Sequence, residues 1–292
     1  MIERMTHGSP EALRALADEH LPPDVAERWV GLLRPALRLA AAEGPDSVVG
    51  KLGGLPRLPA HVEWPSWEGH GPLAFVASLD CAALPAGAVD IDLPADGTLS
   101  FFHFDGQLDG GEALVLPDDR ESQAGARVLY TPAAETRTER AAPPGLEVYS
   151  EVPLTARPCL TAAEPWHPRI RDAFAPGAPL GNRYDHPVCS QDFLDALWEF
   201  DGDVGHQIGG HAGSVQNPVE IEVAEAVMDG AMSWDDPALD AEIANWVLLA
   251  QFDSDDDAGM MWGDTGALYW LIRPQDLAER RFDRAMFTWQ CC

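Results

Sequence analysis

Lysine is almost missing from this sequence. Lys51 is the only one, and Lys+Arg total 19 against 48 Asp+Glu, a formal net charge of −29. A field of that sign repels phosphate backbones and anionic headgroups, which disfavours direct binding to nucleic acid or to a membrane surface. Long apolar runs are missing too. No stretch approaches the ~18 residues that span a bilayer, and residues 1–7 have no apolar core of a secretory signal. Cysteine is scarce: Cys81, Cys159, Cys189, Cys291 and Cys292 have no zinc spacing, and a reduced cytoplasm suits them better than a disulfide framework. There is no Gly-x-Ser-x-Gly elbow, His-Glu-x-x-His, Cys-x-x-Cys or Gly-x-Gly-x-x-Gly, so nucleophilic, zinc-protease, dithiol and dinucleotide chemistry find no motif. Of nine histidines, His206 and His211 come nearest to ligand spacing and have no third ligand beside them.

What the sequence does contain is apolar substance and punctuation. It is 46% hydrophobic, with 26 glycines and 25 prolines, a composition of short elements and many turns. Abundant arginine and alanine beside one lysine also read as GC-rich coding, a bland account of the acidity next to one in which the acidic surface attracts basic partners.

Along the chain, Ser9 and Pro10 open a helical stretch that reads on to residue 43, divided at Pro35. Short apolar runs at 73–79, 99–104 and 128–130 read as strands. Residues 131–188 read as a long, partly irregular connection carrying a few short strands. Ser190 caps a helix with Phe193, Leu194, Leu197 and Trp198 on one face. Helices at 219–228 and after Asp236-Pro237, strands at 246–252 and 267–272, a short helix at Pro274 and a strand at 285–289 complete the reading. The expected fold is α+β: mixed, mostly antiparallel sheets with flanking helices. An N-terminal helical segment (1–46) precedes a first unit (47–150), an irregular connection (151–188) and a second unit (189–292), with 47–292 forming one compact domain.

The two units arise from an internal comparison. Lys51-Leu52-Gly53-Gly54 matches Gln207-Ile208-Gly209-Gly210; residues 73–80 match 246–253, both ending in Asp (Asp80, Asp253); residues 97–102 match 266–271. Paired glycines permit positive φ and close backbone approach. A strand-end Asp can cap a loop or point into a cleft. A cleft between the units would take a ligand on Lys51, Gly53, Gly54, Asp80, Gln207, Gly209, Gly210, Asp253 and Trp262. The alternative is that the repeat is pure architecture.

These motifs, with Leu55-Pro56, Trp64-Pro65, His206, Met261-Trp262-Gly263-Asp264 and the terminal Gln290-Cys291-Cys292, resemble the YwqG-like bacterial family over roughly residues 48–292. The resemblance implies an α+β domain of unknown function, with no reaction attached. The occurrence of members near polymorphic toxin systems implies an immunity or protein-interaction role.

One loop invites a cation. Asp253, Asp255, Asp257 and Asp264 fall at positions 1, 3, 5 and 12 of an EF-hand-like calcium loop. Ala258 stands where that loop needs glycine, position 12 is Asp, and the flanks read as strands, so an exposed polar turn competes with a calcium site. No other cofactor is evident. Only the second unit has this loop, so functional asymmetry is expected there. Residues 44–51 miss a phosphate loop by one residue and lack its hydroxyl. Glu63-Trp64-Pro65-Ser66-Trp67-Glu68 could hold a sugar or cation, or be a Trp-anchored loop. The leading functional reading is a cytoplasmic protein-binding or immunity-type protein whose acidic surface engages a basic protein. The other is an enzyme, small-ligand or metal-binding protein using the cleft.

Overall fold

The computed structural model describes residues 9–165, 167–178, 185–201, 205–228 and 236–291. Helices α1 (Pro10–His20) and α2 (Pro23–Val30) come first; Ser9 Oγ accepts from the Ala12 amide at 3.2 Å and Pro10 fills the first helical position. The helical reading then fails. Arg34–Ala41 is strand β1, paired on both sides, with Leu37 and Leu39 buried. Its Ala, Leu and Arg are good helix formers, but two antiparallel neighbours claim its backbone, and tertiary pairing outweighs a weak local preference.

The first half continues with β2 (Gly50–Leu52), β3 (Arg57–Pro59), β4 (Ser66–Trp67), β5 (Gly71–Pro72), β6 (Ala74–Asp80), β7 (Thr98–His103), β8 (Ala126–Thr131) and β9 (Arg137–Glu139). The expected connection carries a longer strand than the short ones its composition suggests. Its first part is β10 (Val152–Thr161), a ten-residue strand beside β1. Helices α3 (Pro168–Phe174) and α4 (Gln191–Asp201) follow, then β11 (His206–Gly209), α5 (Val219–Val227), α6 (Pro237–Ile243), β12 (Val247–Asp253), β13 (Ala267–Ile272), α7 (Pro274–Ala278) and β14 (Met286–Gln290). On α4, Phe193 is buried as expected, but Trp198 stands 73% exposed.

The fold is α+β, with ten strands in one sheet ordered β14-β13-β12-β11-β1-β10-β2-β6-β7-β8. Every pairing in it is antiparallel, with none of the parallel pairs a mixed sheet would need. The two pairs β3–β9 and β4–β5 lie outside it. The sheet curls until its ends nearly meet. The Gln123 amide donates to the Phe287 carbonyl at 3.0 Å and accepts from the Phe287 N–H at 2.9 Å, joining the chain just before β8 to β14. Arg280 stacks on Tyr130 across the same seam, 5.3 Å from the ring centroid.

The inner face is the main core. Phe101, Phe252, Trp270 and Phe287 meet there, with centroids 5.0–5.8 Å apart in mostly edge-to-face contacts. His103 lies among them, stacked on Phe287 at 4.7 Å, and burial pushes it down to about 3. The outer face differs along the sheet. Over β12 and β13 it is sealed: Leu248, Tyr269 and Leu271 pack under Ala212, Val219 and Val223. Over β2, β6 and β7 it is open.

Candidate functional site

The open face is a groove of about 710 Å³. Lys51, Ser78 and Ser100 form its floor on β2, β6 and β7, where their positions pair directly. Asp80 lies at one end, and Arg57, Glu135 and Glu139 line the wall formed around β3–β9. Lys51 spans its own corner: Nζ donates to Glu151 at 2.6 Å and to the Leu55 carbonyl at 2.9 Å. Asp80 accepts from the Ala82 amide at 3.1 Å and so caps the 3-10 turn Cys81–Ala83. Arg137 is held on Thr98.

The matching positions of the second half are buried and laced. Gln207 Nε2 donates to the carbonyls of Gly209 and His211, both at 2.8 Å. Gln251 donates to the Gly205 carbonyl and accepts from the Gly213 amide, both at 2.9 Å. Gln290 accepts from the Val215 and Gln216 amides and donates to the Asn217 carbonyl and Glu222. Residues 209–217 are thus strapped over the sheet by three glutamine side chains. Alternation in β12 and β14 marks Gln251 and Gln290 as one-face residues, but their partners lie in a loop no periodicity foretells.

The groove takes in Lys51 and Asp80 and not Gln207, Gly209, Gly210 or Asp253. β10 and β1 separate β2 from β11, three strand spacings of ~4.8 Å each. Both glycine pairs have positive φ: +56° and +65° at Gly53 and Gly54, +66° and +73° at Gly209 and Gly210. A Cβ at Gly53 would lie 2.2 Å from the Ser150 carbonyl oxygen, and one at Gly210 2.5 Å from Thr161 Oγ1. At these strand ends Gly53 makes room for crossing backbone and Gly210 for the Thr161 and Ala36 side chains.

The acidic loop is similarly committed. Asp253 accepts from the Gly205 amide at 2.8 Å and the Ser254 amide at 2.9 Å. Asp255 accepts from the Ala258 amide at 2.7 Å and faces His206 Nε2 at 3.2 Å, a hydrogen bond that holds its carboxyl below the usual range. His206 Nδ1 accepts from the Asp253 amide at 3.0 Å, so both ring nitrogens are engaged. Ala258 is buried in the core, while Asp257 and Asp264 are exposed. Trp262 is buried, with its indole N–H on the Asp253 carbonyl. Among the described residues, no group of three or more His, Cys, Asp or Glu is placed to hold a metal ion. Trp64 donates to the Leu73 carbonyl at 2.8 Å and Trp67 is buried, so the aromatic loop is anchored inward.

A second concavity has no counterpart in the sequence reading beyond His211. Where β1, α3 and α5 approach one another, a cavity of about 280 Å³ is lined by Arg34, His167, Arg169, Glu220 and Trp246, among others. Burial raises Glu220, and burial with Glu220 as neighbour pushes Glu164 up to about 7. Burial, then Arg169 and Arg34, pushes His167 down to about 3. His211, its ring 5.5 Å from His167, is also held neutral by burial; Nε2 lies 3.1 Å from the Leu32 carbonyl, and Nδ1 is buried without a partner. These residues lie 34, 164–169, 211 and 220 along the chain, a spacing that carries no motif.

A ten-stranded, nearly closed antiparallel sheet with one sealed and one open outer face defines an α+β domain built around concavities. The family model described as Domain of unknown function (DUF1963) matches residues 50–291, and the chain belongs to that family. The YwqG-like resemblance agrees with this assignment. A comparison with curated proteins gives no match. The match begins at β2, so β1, central in the sheet, precedes it. Cys81, Cys189 and Cys291 are free thiols, and no described helix is long and apolar enough to cross a membrane.

Proposed function

We propose that this chain is a binding protein that takes a basic protein partner on its carboxylate-rich surface, with the first-half groove as the docking place. The supporting observation is the disposition of charge. Many described cations are used internally: Arg34 on Asp90, Lys51 on Glu151, Arg171 on Asp172 and Asp240, Arg273 on Glu242 and Arg281 on Asp276. Exposed carboxylates such as Glu112, Asp118, Asp119, Glu139, Asp256 and Asp257 remain, and with the net charge of −29 they steer a basic partner and make association salt-dependent. In its finer form this is an immunity-type role in a reducing cytoplasm, the partner being a basic, nuclease-like toxin; the free thiols agree with that compartment.

We also read the two halves as diverged copies. In support, Lys51↔Ser78↔Ser100 and Gln207↔Gln251↔Tyr269 occupy matching registers. Register shifts fall at Phe75/Ala77 and Leu248/Ala250, which are equivalent positions in the repeat. The copies have diverged in function by covering one outer face and leaving the other open.

The test is capture from lysate at low and moderate salt, comparing the wild type with a Glu135→Lys/Glu139→Lys double variant. The expected result is a set of basic proteins that weakens with salt and with charge reversal. Recovery of no protein at either salt, or recovery indifferent to the reversal, overturns the docking place and the role.

A further inference from the structure

The cavity between β1, α3 and α5 contains a separated cation and anion. Asp172 and Asp240 face it, but buried Arg171 neutralises both, with contacts of 2.7–3.0 Å. Arg34 is paired to Asp90 at 2.6 Å on one side, leaving its guanidinium edge along the wall. Two groups remain. The Arg169 side chain, exposed at the rim, has no hydrogen bond or ion pair among the described residues. The Glu220 carboxyl is 6% exposed, with His167 Nε2 4.0 Å away; against burial, its own amide and the charges of Arg34 and Arg169 favour its ionised form. His167 is kept neutral by burial, so it supplies no counter-charge.

A buried carboxyl that makes no ion pair is costly to charge, and arginines set across a cavity from it specify a ligand with the complementary order of charges. About 280 Å³ holds roughly nine waters at ~30 Å³ each, the scale of a small metabolite and well below a peptide. Ile243 and Trp246 provide an apolar wall for its carbon part. We propose that this cavity binds a small zwitterion of the α-amino-acid type, its carboxylate on Arg34 and Arg169 and its ammonium on Glu220. Glu164, buried behind Glu220 and raised by it, gains from the same incoming cation. Because Glu220 opens α5, which covers the sealed half of the sheet, occupancy stiffens that half.

The test is thermal unfolding of the full chain with each free L-amino acid at millimolar concentration, repeated with the N-acetyl and carboxamide forms of any that respond. At about 100-fold over Kd the midpoint should rise by about 5 °C. N-acetylation and Glu220→Gln should each abolish the rise, and Arg169→Gln should weaken binding at least tenfold. Glu220→Gln keeps the shape and removes a buried charge, so the unliganded variant should unfold at or above the wild-type temperature. If it fails to fold, rim-exposed Arg169→Gln still decides. Overturning results are no response to any amino acid, or a response that survives acetylation and Arg169→Gln.

Discussion

Glu164 and His167 are three residues apart and pull stability in opposite directions as pH changes. Glu164 is raised in the folded state, so its contribution is complete below its ordinary range and is lost as pH rises through about 7. His167 and His103 are depressed to about 3, so theirs is complete above about 6.5 and is lost as pH falls toward 3. Glu164→Gln should therefore gain on the wild type by on the order of 2 kcal/mol between pH 5 and pH 8. Denaturant unfolding at both pH values checks this, and parallel stability profiles would exclude it. His103→Leu removes an imidazole whose Nδ1 has no partner inside the sheet. Its acid-unfolding midpoint should move to lower pH, as read by circular dichroism. None of this is written in sequence spacing. A histidine becomes acid-labile because Trp262 and Phe287 exclude water from it, and only the fold brings them there.

Among the elements, the strands with aromatic runs and glycine entries were legible: β6, β7, β12, β13 and β14 lie where short apolar runs place them. β1 was not. Leu32, Leu33 and Leu37 fall at helical spacing by accident, and period two is visible only from Leu37 and Leu39 inward. β10 was hidden by its two prolines, Pro153 and Pro158, which read as breakers; the strand tolerates them because Pro153 is in register only with β2 and Pro158 only with β1. The glycine pairs have the positive φ that their sequence suggests, and what they make room for, the Ser150 carbonyl at Gly53 and the Thr161 hydroxyl at Gly210, is visible only in the fold. Gly53→Ala should cost about 2–3 kcal/mol, combining φ strain with a clash against a carbonyl that cannot move away. Gly44→Ala, at similar φ with open space around it, should cost about 1 kcal/mol. Equal losses from the two in chemical denaturation would contradict this account.

At the scale of the whole molecule, the asymmetry lies where the sequence did not place it. The acidic loop unique to the second half is committed to its own amides and to His206. The larger groove described above lies in the first half, where no strap among the described residues corresponds to the one over Gln207, Gln251 and Gln290. Among the side chains at the seam, Gln123 joins the two edges by hydrogen bonds to the backbone, beside the contact of Arg280 with Tyr130. Gln123→Leu removes both hydrogen bonds to Phe287 and should cost about 1–3 kcal/mol. Amide exchange should speed up in β14 while β1 stays protected. Uniform acceleration across the sheet would show that closure does not rest there.

The central place of β1 has a kinetic consequence. Thr161 bonds back to Arg34 across 127 residues of chain, and the β11 partners of β1 lie further on still. During synthesis the strand emerges first and waits, unpaired on both sides, until most of the protein has followed it. Each half of the sheet can form its own local hairpins quickly, whereas joining them requires closing a long loop. Refolding should accordingly show a fast phase within the halves and a slower one when β1 is taken up between them.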